Sequence, residues 1–397
     1  MLAKLKNMSV EKRLKFIKIV TSFFMLFGLL LSFRLWTGHH SFPTIKVFNN
    51  LPQIPQTASL FMTIALIGVL LASLLWQKKI FYYGILGLTF LLLIEDYMRW
   101  QPWVYMYILF FLAFLFDKKN RHNKGLLILQ IILAGSYFWA GALKLNPYFP
   151  NVFSYKIALK IVSLIGIENN AVVYKLSYLG YLVPLIEIAV GIGLFTKRYR
   201  NTAIVLASLT HIFILMYLSP MGINYNGVVI PWNVAMLISV WFLFYKSPNN
   251  YTASSIKKDF SVYLMAILVW IMPAFNIIGL WHNYASFKLY TGNDTYIFAV
   301  LNKADLDTAQ PNLKPYVFNL YPKVFKELGV IKDQRVISFY HWTIAELNIP
   351  FNLNKTTIKQ TIKYMHRFDD KRRYPISFLI YKKGKYQKLN EKDYLYE

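Results

Sequence analysis

Residues 125–145 read Gly-Leu-Leu-Ile-Leu-Gln-Ile-Ile-Leu-Ala-Gly-Ser-Tyr-Phe-Trp-Ala-Gly-Ala-Leu-Lys-Leu. The stretch is long enough to span a ~30 Å hydrocarbon core at ~1.5 Å per residue, and its one ionisable residue, Lys144, comes at the end. Comparable apolar runs cover 19–36, 58–76, 80–96, 103–116, 172–195, 202–219, 228–245 and 260–281. With 125–145 they make nine predicted helices, so the expected fold is an all-α polytopic membrane bundle over 19–282.

Composition points the same way. Of 397 residues, 56% are hydrophobic and only 16% charged, whereas a soluble chain carries about 25% charge. The absence of cysteine excludes disulfides, thiolate nucleophiles, Cys-ligated zinc and Cys-ligated iron–sulfur clusters. A net charge of +26 would suggest nucleic acid in a soluble chain. Here Lys and Arg fall between the apolar runs, which excludes a nucleic-acid partner and makes the charge a matter of topology.

The alternation of basic connections sets the expected orientation. The basic N-terminus 1–18, Gln77-Lys78-Lys79, 117–121, 196–200 and 246–258 fall on one side; 41–56, 99–101 and 219–226 carry almost no Lys. A cytoplasmic N-terminus follows, and the expected location is the cell inner membrane. Nine spans put the C-terminus on the periplasmic or extracellular side. Segment 146–170, with Tyr148, Phe149, Tyr155, Ile157, Leu159 and Ile161 among Lys156 and Lys160, suits an amphipathic helix at the interface. From 291 to 397 prolines break up shorter apolar stretches. Strands are predicted at 296–301, 335–340 and 376–381, a helix at 355–367 and a hairpin turn at Lys383-Gly384-Lys385. This is a small C-terminal α+β domain.

Ionisable groups inside spans cost about 2.5–3.5 kcal/mol each on insertion scales and mark interior or functional positions. Counting ~1.5 Å of rise per residue from the inner basic connections puts Glu187 and His211 both roughly 15–17 Å deep, within reach of one another. The same count puts Lys144 about 30 Å above Lys124, near Glu95, Asp96 and Arg99. A carboxylate beside Lys144 would keep it charged; a dry site without one would make it a usable base.

The segment from Gln130 to Leu145, with its aromatic residues, small-Gly pair and terminal Lys-Leu, resembles a helix of the vitamin K-dependent γ-carboxylase-like superfamily, the horizontally transferred transmembrane (HTTM) domain. Leu185-Ile186-Glu187 through Gly191 and Leu194 is similar to a span shared with the DoxX-like relatives. His211, Asn224 and the run around Trp232 resemble the next helix pair. The resemblance covers about 95–245. It implies a lipid quinol of the menaquinone type as cofactor, with no metal. Lys144 would be the base, Glu187 and His211 its catalytic companions, and Glu95, Arg99 and Trp139 the cofactor contacts. Where the carboxylases carry Asn-His, this chain has Arg99-Trp100-Gln101-Pro102, and their large C-terminal region is replaced by about a hundred residues. Both departures point away from peptide carboxylation. Two readings follow: a quinol-coupled membrane enzyme acting at the outer leaflet, or a non-enzymatic maturation, export or assembly factor for a secreted peptide or protein.

Overall fold

The computed structural model describes residues 5–48, 50, 52, 54–117, 122–150, 154–166, 169–219, 226–247, 259–292, 295–303, 306, 311–317, 327–331, 333–351, 353–368, 376–382 and 385–395. In chain order the helices are α1 (Val10–Leu31), α2 (Phe33–Thr37), α3 (Gln56–Trp76), α4 (Lys79–Glu95), α5 (Pro102–Phe116), α6 (His122–Ala142), α7 (Tyr155–Leu164) and α8 (Asn170–Ser177). There follow α9 (Leu182–Gly193), α10 (Arg200–Leu218), α11 (Val229–Phe244), α12 (Phe260–Ala266), α13 (Phe339–Leu347), α14 (Lys355–Met365) and α15 (Lys392–Leu395). The chain groups into two compact units.

The first unit comprises Met1–Leu30, Ile64–Thr89 and Gln101–Gly292. Helices occupy every predicted apolar run. Among the described residues five of them are long and apolar enough to cross a membrane: α1, α3, Lys124–Ala142, Asn170–Gly193 and α10. α5, α11 and Phe260–Asn276 are apolar but shorter. These helices are compatible with an integral membrane protein, while the expected nine crossings exceed the five that length and composition support. The stretch 260–281 departs most from a straight span. After α12 it passes through a π turn, Ile267–Ile271, and a 3-10 turn, Met272–Asn276, because Pro273 has no N–H to give and its ring crowds the preceding turn.

α6 is the hub, with 78% of its apolar window buried, against 28% for α3 and for α10. It packs against α5, α9, α11 and α12. Leu75 and Leu209 remain exposed on the outer helices, as lipid-facing side chains would be. The expected amphipathic helix in 146–170 forms as α7. It buries Ala158 and Val162 against Val173 of α8 and leaves Leu159, Ile161 and Leu164 exposed. The basic stretches 118–121 and 248–258 and the connection 220–225 lie outside the described residues.

The second unit comprises Leu31–Thr63, Phe90–Trp100 and Asn293–Glu397, so the C-terminal segment does not form it alone. Its antiparallel sheet has the order β2-β1-β3-β4, with β1 Tyr296–Asn302, β2 Gln334–Ser338, β3 Ser377–Lys382 and β4 Lys385–Lys388. The expected strand 335–340 stops at Ser338, whose hydroxyl accepts from the His341 N–H and caps α13, so Phe339 and Tyr340 open a helix. The turn residues Lys383 and Gly384 lie outside the described residues; Lys382 pairs with Lys385 across them. Glu346 of α13 explains why 31–63 belongs here. Its buried carboxylate accepts from the backbone N–H groups of Ser41 and Phe42, the Ser41 hydroxyl and the Trp342 indole, at 2.5 to 2.9 Å. Charge-assisted bonds of this kind are about twice as strong as neutral ones.

Candidate functional site

Two glycines let the hub helix and its neighbour approach closely. A Cβ on Gly141 would lie 2.6 Å from the Pro184 carbonyl oxygen and 2.9 Å from the Glu187 Cβ, and one on Gly191 would lie 2.8 Å from the Ala134 carbonyl oxygen. Small residues at such contacts are the usual means by which apolar helices pack tightly. The approach brings together two ionisable groups. Lys144, in the turn after α6, donates to both carboxylate oxygens of Glu187 at 2.7 Å. Lys144 is 9% and Glu187 5% exposed. Each neutralises the other, which is what permits both to be buried.

This pairing corrects the depth count, which set Lys144 against Glu95 or Asp96 and put Glu187 at a lower level. The count treated the basic connections as coplanar. Gly191 sits beside Ala134 and Phe138, which places the turn after α9 alongside residue 130 or so, about six residues or ~9 Å along α6 from Lys124. Trp270 agrees: its indole donates to the Ile131 carbonyl at 3.1 Å and its ring meets Phe195. The lysine stem covers the rest.

His211 of α10 does not bond Glu187. Its Nδ1 lies 2.8 Å from Asn233 Oδ1, and its Nε2 lies 2.5 Å from the Tyr137 hydroxyl. The amide of Asn233 is oriented by donation from Nδ2 to the Val229 carbonyl at 2.7 Å, so Oδ1 is the acceptor facing the imidazole. That assigns the proton to Nδ1 and leaves Nε2 to accept from Tyr137.

Glu187 and His211 nevertheless line one cavity of about 300 Å³, together with Lys144, Tyr137 and Asn233. Val183, Ile186, Leu206, Ile214 and Met236 supply apolar wall, and Phe287 and Tyr290 also line it. Both of these last two hold left-handed backbone, with φ of 57° and 56°, a conformation that costs free energy in a bulky residue. Asn226 donates to the Tyr290 hydroxyl at 2.6 Å. An apolar chamber with a few convergent polar groups is the general form of a small-molecule site.

The three expected cofactor contacts are not among the lining residues of this cavity. Trp139 gives its indole N–H to the Trp270 carbonyl at 3.2 Å. Glu95 and Arg99 belong to the second unit and bond one another at 2.5 Å. Glu95 also accepts from Ser59, while Arg99 donates to the carbonyls of Leu35, Leu92 and Trp36. No group of three or more His, Asp or Glu side chains suited to a metal occurs among the described residues. Asn224 lies outside them.

Sequence reading missed Tyr137 and Asn233. Tyr137 stands seven residues before Lys144, two turns down the same face of α6. Asn233 is a lone amide within an apolar run, a signal that a search confined to ionisable groups passes over. Comparison with family models, with curated proteins and with solved structures finds no match to this chain.

Proposed function

We propose that the chain is a polytopic membrane protein with nine spans, a cytoplasmic N-terminus and an outer C-terminal domain, and that its bundle cavity binds a lipid quinol of the menaquinone type. On this reading it is a quinol-coupled membrane enzyme related to the HTTM and γ-carboxylase-like proteins. The observation that carries the reading is the convergence of a neutral Lys144–Glu187 pair and a Tyr137–His211–Asn233 chain on one apolar cavity.

These residues fit a flat apolar ring bearing polar oxygens. Apolar side chains take the ring, the Lys144 ammonium is a donor for its oxygens, and the Tyr137 oxygen, whose proton is given to His211, is an acceptor for a ring hydroxyl. A bound quinol would supply a hydroxyl proton and reducing equivalents. Glu187 can take up a proton while Lys144 holds the carboxylate in place, so the pair replaces an isolated lysine base. His211, oriented by Asn233, takes the Tyr137 proton through Nε2 and so holds that hydroxyl in place. Trp139, Glu95 and Arg99 act through packing in this account.

Mass spectrometry of the lipids that copurify with the detergent-solubilised protein tests the proposal. A quinone retained at near one per chain supports it. A protein that carries phospholipid only, and gains no quinone when one is supplied during extraction, overturns it in favour of a maturation or export factor.

A further inference from the structure

α14 carries Lys355, Lys359 and Lys363 at four-residue spacing, and Arg367 continues the row in the 3-10 turn His366–Phe368. The opposite face, with Ile358, Ile362 and Met365, is buried in the second unit, so the basic face has a fixed direction. Like charges at i,i+4 destabilise a helix, and a cation at its first position opposes the helix dipole.

The same face forms one wall of a groove of about 760 Å³, whose other wall is the segment around Pro43–Lys46. Five cations line it: Lys46, Lys355, Lys359, Lys363 and Arg367. Among the described residues no Asp or Glu lines it. The walls are tied together. Gln360 accepts from the Lys46 N–H at 2.8 Å and donates to its carbonyl at 2.9 Å, and Tyr364 donates to the Ser41 carbonyl at 3.1 Å. Lys46 is thus held opposite the helical row in a preformed concavity, unlike lysines scattered over a solvated surface.

We propose that this groove binds a phosphate-bearing anion with two or more negative charges, whether a phospholipid headgroup or a soluble polyphosphate. Lysine ammonium groups suit phosphate oxygens as compact charges, and Arg367 adds a planar fork. From Lys355 to Lys363 the row extends ~12 Å, longer than one phosphate and matched to several charges in line.

The test titrates the full detergent-solubilised protein with inorganic tripolyphosphate and, separately, with short-chain phosphatidylglycerol, by calorimetry. K359Q/K363Q is compared with K385Q/K388Q, which removes the same charge from β4. The expected result is saturable binding of at least one probe, weakened about tenfold in the groove variant through loss of charge-assisted bonds and unchanged in the β4 variant. Binding of tripolyphosphate alone assigns a soluble ligand, and of phosphatidylglycerol alone a lipid headgroup. K46Q, on the opposite wall, carries the same expectation should K359Q/K363Q melt early. Absence of saturable binding, or equal weakening in groove and β4 variants, overturns the proposal.

Discussion

Lys144–Glu187 and Arg99–Glu95 are both buried ion pairs, closed to 2.7 and 2.5 Å, yet their surroundings differ. Arg99 is fully buried and divides its guanidinium among one carboxylate and three backbone carbonyls, with the Trp36 ring 5.9 Å away. It fastens the end of α4 to α2, and it lines neither the bundle cavity nor the basic groove. Lys144 gives its ammonium to Glu187 alone among the described residues, and both border an apolar chamber. A pair whose cation is also committed to three backbone carbonyls is architecture. A pair with one bonding relationship and a side that lines a cavity is accessible to a molecule bound there.

Arg99→Ala should have the largest effect on stability, about 3–5 kcal/mol in a denaturant melt of the detergent-solubilised protein, because Glu95 is left buried and uncompensated. The double variants separate the two pairs. K144M/E187Q removes both charges and should melt within about 1 kcal/mol of wild type. R99M/E95Q should stay destabilised by about 1–3 kcal/mol, since three buried carbonyls lose a donor. Equal behaviour of the two doubles would erase the distinction.

Gly141→Val tests the close approach that creates the Lys144–Glu187 pair. The new side chain meets the Pro184 carbonyl and Glu187 Cβ, and a melt should show a loss of about 1–3 kcal/mol from overpacking. Tyr137→Phe removes one hydrogen bond to His211 and should cost about 1 kcal/mol. A melt unchanged by this variant would argue against the Tyr137–His211–Asn233 chain.

The smallest effect concerns Asp259, whose carboxylate pairs with Lys124 at 2.8 Å. The hydrogen bond from Lys124, aided by Ser261, lowers the Asp259 pKa from 3.8 to about 2. A depressed carboxylate contributes stability above its unfolded value and loses it as pH falls through the folded one. The pair's contribution should be full above about pH 4 and vanish towards pH 2. Because the pair is only partly buried, the effect is small and salt-sensitive. Asp259→Asn should flatten that part of the acid melting curve.

Periodicity made the helices legible because burial in an apolar phase needs long unbroken runs, and α7 emerged from the alternation of aromatics and lysines around 155. β1 and β3 were visible as short apolar runs between breakers. Three features escaped. Strand β2 ended early because Ser338 is a helix cap, a local signal overridden by the apolar residues after it. The membership of 31–63 in the second unit depends on Glu346 finding Ser41 and Phe42, a contact across 304 and 305 residues. The partner of Lys144 was misassigned because depth counted along separate helices ignores how glycine contacts set their register. Gly141 and Gly191 stood in the sequence, but only their facing contacts show where Glu187 falls.

The most direct test follows quenching of tryptophan fluorescence by menadione, a soluble naphthoquinone, with Trp232 in the cavity wall as the reporter nearest the site. The account predicts saturable quenching in wild type, weakened at least about tenfold in K144M/E187Q by loss of charge-assisted contacts, while the melting temperature holds. Equal affinity in wild type and K144M/E187Q, or quenching that never saturates in wild type, would contradict it.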